Sequence, residues 1–235
     1  LGAIAVFNMV RGIIKSAPDI KDIDATPTGY LSTVLDNNEN EIATLVASGS
    51  NRVYVTIDEI PKDLQHAFVA IEDERFYDHN GIDLQGILRA GVRGITHGFH
   101  FSEGASTITQ QLLKNNVFTG WTSESSFSDK LERKLQEQYL AVQLEKSVSK
   151  DWILENYLNS INLGQNTLGV QSASRRYFNK DVSELNISES AVIATITQNP
   201  SRYNPVSNPD QNKKRRAKVL KNMLDQEYIS QKEID

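Results

Sequence analysis

Three short stretches of this chain gather side chains whose types and spacing suit chemistry. In "AIEDERFYDHNGID", residues 70–83, Glu72 follows Phe68 by one helical turn and adjoins Ile71. It therefore sits on the border of an apolar stripe, where a carboxyl can lose part of its water and suit proton transfer. An acidic run such as Glu72-Asp73-Glu74 is more often a solvated cluster. Here it is followed by a turn with His79 and Gly81, and by Phe76 and Tyr77 beside it. In "EGASTITQQLLKNN", residues 103–116, Thr107 and Gln110 have capping-box spacing, so a helix begins near Thr107. Thr107, Gln110, Gln111 and Lys114 then share one face, while Ile108 and Leu112 point toward a core. A plain solvated face in this chain would carry Asp and Glu as well. Neutral donors plus one cation suit an anionic, oxygen-rich ligand such as a phosphate or sugar. In "ERKLQE", residues 132–137, Arg133 and Lys134 lie one turn before Glu137. That spacing gives intrahelical ion pairs worth only ~0.3–0.5 kcal/mol each, or a cationic phosphate site with a carboxylate beside it.

Other patterns carry less. "SVSK", residues 147–150, has the SxxK spacing of serine acyl-enzymes but lacks KTG and SDN partners, and more simply opens a helix. His97 and His100 have no third ligand for a metal, and no Walker A or Rossmann pattern occurs. With 25 Lys and Arg against 30 Asp and Glu, the net charge is −5, so there is no global basic field for nucleic acid. The absence of cysteine excludes disulfides, zinc–thiolate sites and Cys nucleophiles.

The elements that must hold these residues are mostly helical. Residues 1–14 are apolar but contain Arg11 and fall short of the ~20 residues of a membrane span. They read as the end of a membrane helix or as a buried amphipathic helix. A polar, proline-marked linker over residues 16–27 leads to a hairpin, residues 29–35 and 41–47 around "DNNEN", with a third strand over 53–57. From Pro61 the pattern is helical, with Leu64, Ala67, Phe68 and Ile71 at helical spacing. The Gly- and His-rich residues 91–102 break it. Helices follow over 129–145, 150–161, 170–177, 187–198 (with Asn186 and Glu189 as a capping box) and 213–224. With 235 residues, one large domain, or one with a small appendage, is expected.

Taken in order, the motifs resemble one family. "EDERFYDHNG" is similar to its EDxxFxxHxG motif, "GASTITQQLLKN" to GxSTxTQQLxKN, and "RKLQE" to RKxxE. "WILENYLNSINLGQNTLGVQSASRRYF" is similar to its KxxILxxYLN motif and the family's sequence just after that motif. This is the peptidoglycan glycosyltransferase family, glycosyltransferase family 51. "SRYNP", residues 201–205, and "VLKNMLDQEYISQKEID", residues 219–235, resemble its bifunctional form, the N-terminal domain of class A penicillin-binding proteins, whose transpeptidase domain would come after Asp235. Asn80 falls at a variable motif position, and the loop 119–127 is longer than the family pattern leads one to expect.

The resemblance implies a mostly α, lysozyme-like fold with a small β element. It divides the chain into a membrane-proximal segment and linker (1–22), a β element (23–60) and the glycosyltransferase domain (61–235), with 91–102 as a mobile, membrane-facing segment. Ile95, Phe99 and Phe101 of that segment would meet lipid. Residues 1–14 become the end of a single N-terminal anchor, with the domain on the extracytoplasmic face of the cell membrane. The implied activity is polymerisation of lipid II onto a growing lipid-linked glycan chain, making β-1,4 linkages with inversion and releasing undecaprenyl diphosphate. Residue by residue, Glu72 matches the general base and Asp73 its neighbour. Lys114, Arg133 and Lys134 match the cations on the diphosphate, and Glu137 a second essential carboxylate. Thr107, Gln111 and Asn115 match sugar and phosphate contacts, and Ser106, Phe76 and His79 shape the site. No cofactor is required, although a divalent Mg or Mn ion on the diphosphate is a candidate. The phosphoglycolipid moenomycin is the implied inhibitor. The alternatives are a glycan-cleaving enzyme of lysozyme-like fold, which has no use for three cations, and a non-catalytic membrane scaffold, which needs no carboxylates.

Overall fold

A computed structural model describes residues 2–30, 32–45, 51–96 and 105–234. As expected, it is mostly helical with one small sheet near the N-terminus. The chain divides into two compact units, one from Leu1–Thr26 and Arg75–Ile153, the other from Pro27–Glu74 and Leu154–Asp235. Each unit draws on two stretches of sequence.

The second unit opens with the predicted hairpin, strands β1 (Ser32–Leu35) and β2 (Glu41–Leu45) paired antiparallel. Asp36 closes its turn by accepting the N–H groups of Asn38 and Asn40 at 2.7 and 2.9 Å. The third strand expected at 53–57 does not form; only an isolated bridge joins Tyr30 to Arg52. The backbone there finds side chains instead of a neighbouring strand. Asn159 Oδ1 accepts the Val55 N–H at 3.0 Å, and its Nδ2 donates to the Val55 carbonyl at 2.8 Å. Buried backbone groups need partners, and an amide side chain satisfies a donor and an acceptor at once.

The unit's helices are α2 (Lys62–Glu72), α7 (Val170–Phe178), α8 (Ile187–Ile196), α9 (Pro209–Asp225) and α10 (Gln231–Ile234), with all but the first turn of α6 (Lys150–Ser160). Helix α8 begins with the expected capping box: Asn186 accepts the Glu189 N–H at 2.9 Å and Glu189 the Asn186 N–H at 3.0 Å. It is buried from Ser190 to Ile196, a run dominated by Ala, Val and Ile. Helix α2 packs on α8 and α9. Of its predicted stripe, Leu64, Ala67 and Phe68 are buried and Ile71 is half-buried, and Phe68 meets Tyr157 edge to face at 6.1 Å.

The first unit holds α1 (Gly2–Ser16), α3 (Leu84–Thr96), α4 (Ile108–Asn116) and α5 (Phe127–Leu144). The end of α1 docks on α5, where Gln136 Nε2 donates to the Ile13 carbonyl and the Ser16 hydroxyl at 3.3 and 3.1 Å. Earlier in α1, Ile4, Val6, Phe7 and Met9 are exposed, so that half is not a buried amphipathic helix. No helix among the described residues is long and apolar enough to cross a membrane. Helix α3 continues through Gly91, where a break is expected, to Thr96. A helical glycine costs only about 1 kcal/mol relative to alanine, and Asp83 caps the start by accepting the Gly86 N–H at 2.9 Å. The remainder of the expected membrane-facing segment, with Phe99 and Phe101, lies outside the described residues.

Candidate active site

Glu72 is the last residue of α2, half-buried, with Asp73 as the buried C-cap. The Thr197 hydroxyl, just beyond α8, donates to Glu72 Oε1 at 2.6 Å and also lies 3.0 Å from the Ala194 carbonyl. One hydroxyl proton serves two acceptors, so the bond to the carboxylate can be exchanged for the carbonyl without orphaning the donor. Two amides from α9 fix the end of α2: Asn222 and Gln226 both donate to the Ala70 carbonyl, at 3.0 and 3.1 Å. They satisfy a carbonyl of the last helical turn that lacks an intrahelical partner. Burial pushes the Tyr157 phenol well above its ordinary pKa, and the charges of Glu72 and Asp73 push it further. The ring is therefore a neutral neighbour of both carboxylates.

In the other unit, the turn after Phe76 is closed by glycine and histidine. Gly81 has φ +90°, and a Cβ there would lie 2.5 Å from the Ala141 carbonyl carbon in α5. His79 Nδ1 accepts the Gly81 N–H at 3.1 Å, which leaves Nε2 to carry the proton of the neutral ring. Behind it lies a packed ionic cluster. Glu145 accepts from Lys150 at 2.7 Å and from the Thr109 hydroxyl, and Lys150 Nζ stands 4.5 Å over the buried Phe76 ring. Phe76 and His79 thus hold the turn's shape, and the Lys150 of "SVSK" is an ion-pair partner.

Thr107 caps α4 as expected, accepting the Gln110 N–H at 3.2 Å. The shared polar face expected for α4 divides, however. Thr107 and Gln110 are buried and turn inward, donating to the Gly81 carbonyl at 2.9 and 3.3 Å. A buried hydroxyl or amide must find a partner, and the turn offers a carbonyl. Gln111, Lys114 and Asn115 remain half-exposed. The Lys114 ammonium stands 4.6 Å over the Trp121 ring.

The "RKLQE" stretch of α5 forms a tighter cluster than helical spacing alone requires. Glu137 is fully buried, and its two oxygens divide between Arg133 Nη1 and Lys134 Nζ, the latter at 2.9 Å. Lys134 also donates to Ser106 Oγ at 2.7 Å, tying α5 to the residue just before α4. The other edge of Arg133 is taken by Glu124, whose oxygens lie 2.8 and 2.9 Å from Nε. Burial lowers the guanidinium's pKa, but Glu124 and Glu137 outweigh it and hold the group above its ordinary value. Both Glu137 oxygens are thus committed to cations. No group of three or more His, Asp or Glu side chains able to hold a metal occurs among the described residues.

The structure therefore brings together Ser106, Arg133, Lys134 and Glu137, and separately Phe76, His79 and Thr107 around Gly81. Glu72 and Asp73 lie in the unit that holds Thr197. Sequence reasoning does not find Thr197, Trp121 or Glu124. Thr197 is 125 residues from Glu72, and the only trace of the other two is the length of the loop that carries them.

The family model described as Transglycosylase matches residues 38–224. Penicillin-binding protein 1F of Bacillus subtilis (strain 168) is 47% identical over 202 residues, 86% of this chain and 27% of the relative. Penicillin-binding protein 1A of Clostridium acetobutylicum is 43% identical over 237 residues, 97% of this chain and 29% of the relative. The chain thus spans under a third of the length of either relative. A crystal structure of penicillin-binding protein 1A from Haemophilus influenzae matches 86% of this chain and 19% of its own, at 24% identity and a TM-score of 0.46. With the family model covering most of the chain, this chain belongs to the transglycosylase family, the peptidoglycan glycosyltransferases of glycosyltransferase family 51 found in class A penicillin-binding proteins.

Proposed function

We propose that the domain polymerises lipid II into β-1,4-linked glycan strands, with inversion and release of undecaprenyl diphosphate. The observation that carries this reading is the buried Glu137 aligning Arg133 and Lys134, with Ser106 on Lys134. Cations held in place suit a departing diphosphate; an enzyme that hydrolyses glycan releases no such anion.

The lipid-linked end of the growing chain is the donor. Glu72 takes the proton of the GlcNAc 4-hydroxyl of the incoming lipid II, and that oxygen attacks the donor's anomeric carbon. The bond to the diphosphate breaks on the opposite face, which inverts the centre. Lys114, Arg133 and Lys134 stabilise the charge that develops on the departing diphosphate, and moenomycin would occupy the same cations. Glu137 holds Arg133 and Lys134 in register, Asp73 supports the field at Glu72, and Gln111 and Asn115 contact sugar or phosphate. Thr107, Phe76 and His79 keep the turn in shape. A lipid surface suits the first unit, because α3 presents Leu84, Leu88 and Val92 as an exposed apolar ridge at one-turn spacing. Residues 1–14 would form the end of a single membrane anchor, with the domain on the extracytoplasmic face of the cell membrane.

Incubation with lipid II in detergent, resolved on a gel that separates glycan lengths, tests the reading. A ladder of polymer is the expected product. Fragmentation of preformed glycan without polymer would instead point to a cleaving enzyme.

A further inference from the structure

We infer that the segment 117–126 is an internal anionic strap, which sets Glu124 on Arg133 in the place a substrate phosphate would take. The inference rests on the reading that Arg133 holds the diphosphate. Two carboxylates thus bind one guanidinium, at Nε and at Nη1. Its Nη1 side is held by the buried Glu137, while its Nε side meets both oxygens of Glu124 at 2.8 and 2.9 Å. A planar guanidinium accepts carboxylate and phosphate in the same manner, so the two anions compete for one edge.

The same segment reaches a second proposed diphosphate ligand. Trp121 lies in its 3-10 turn, Thr119–Ser123, with its ring under the Lys114 ammonium. The ends of the strap are tied, by the Phe118 N–H on the Leu113 carbonyl and by Ser126 Oγ accepting the Asp129 N–H, and its middle is open. Residues 120–123 are exposed, and the turn's own bonds are short-range, Trp121 N–H to the Phe118 carbonyl and Ser123 Oγ to the Gly120 carbonyl. A segment with few buried contacts opens at low free-energy cost. Glu137 cannot leave in this way, because it is fully buried in α5. Of the two carboxylates, then, one is a fixed positioning group and the other an exchangeable occupant. The extra length of this loop acquires a use: it lets a carboxylate nine residues before Arg133 fold back on to it.

The consequence is competition. Displacing Glu124 offsets part of what the diphosphate gains, which weakens binding of any ligand that needs Arg133. Binding of a short-chain polyprenyl diphosphate in detergent, measured by titration calorimetry for wild type, Glu124→Gln, Arg133→Met and the double variant, separates the possibilities. Glu124→Gln is expected to bind about two- to fivefold more tightly, the range of a partly exposed ion pair. Arg133→Met is expected to bind more weakly, and Glu124→Gln to add no gain on that background. If Arg133→Met weakens binding but Glu124→Gln leaves it unchanged or weaker, the strap is overturned while the diphosphate site stands. An unchanged dissociation constant in Arg133→Met would remove Arg133 from the diphosphate site and the strap with it. Thermal melts of each variant check that the fold is intact.

Discussion

Replacing Glu137 with Gln tests whether the cation cluster is held from within. The wild-type carboxylate is fully buried and accepts two charge-assisted bonds, from Arg133 and from Lys134. Glutamine keeps one acceptor oxygen and turns an amide NH2 toward the other cation, donor against donor. One charge-assisted bond is lost, worth ~1.5–3 kcal/mol. Removing one side of a buried pair costs ~3–5 kcal/mol when the remaining charge is stranded. Here the stranded charges are only partly buried, with side-chain exposures of 14% for Arg133 and 40% for Lys134, so water relieves them. The lower figure applies, and we expect a loss of about 2 kcal/mol, or about 4–8 °C in Tm for a chain of this size. Lys134→Met, on the exposed side of the same bridge, should cost under ~1 kcal/mol. Thermal unfolding followed by circular dichroism reads both. A Glu137→Gln melt within about 1 °C of wild type, or a Lys134→Met loss as large as that of Glu137→Gln, would refute the view that the buried carboxylate organises the cluster.

Other expectations rest on the same geometry. Gly81→Ala forces a Cβ against α5 backbone at a left-handed φ and should cost about 3 kcal/mol or more, seen as a large fall in Tm; a change under about 1 kcal/mol would mean the turn can shift. Burial, with help from Lys62 and against Asp63, holds His66 below its ordinary pKa, stacked 4.2 Å from Tyr228. A depressed histidine pKa means the unfolded chain binds the proton first, so its stability contribution is full above about pH 6.5 and is lost as pH falls through the folded value. His66→Gln should flatten that decline in urea unfolding between about pH 7 and 5; an unaltered slope would assign the decline to other groups. Lys114→Ala should weaken moenomycin binding about 10-fold or more, the loss of one charge-assisted contact, and an unchanged Kd would take Lys114 out of the site.

What the sequence makes legible here is local. Asn186 with Glu189, Thr107 with Gln110, and the hairpin turn at Asp36 each join residues within four positions, and each lies where its spacing indicates. The misreadings involve partners far along the chain. Residues 53–57 have strand composition, but their hydrogen bonds go to Asn159, 104 residues from Val55. The polar face of α4 suits a ligand until the Gly81 carbonyl, 26 residues before Thr107, takes two of its members. Periodicity gives the direction of a side chain around a helix and says nothing of what waits there. The family motifs behave in the same way. Their spacing marks Arg133, Lys134 and Glu137 as a set, but not that Glu137 is buried between the cations, nor that Glu124 closes the outer edge.

The central claim is that Glu72 moves the proton in glycan polymerisation. Glu72→Gln keeps the size of the side chain and an acceptor for the Thr197 hydroxyl, but removes the base. With lipid II in detergent, the wild-type domain should yield a ladder of glycan. The variant, at an unchanged Tm and with moenomycin affinity retained, should yield about 100-fold less or none. Polymer from Glu72→Gln at a rate close to wild type would contradict the account.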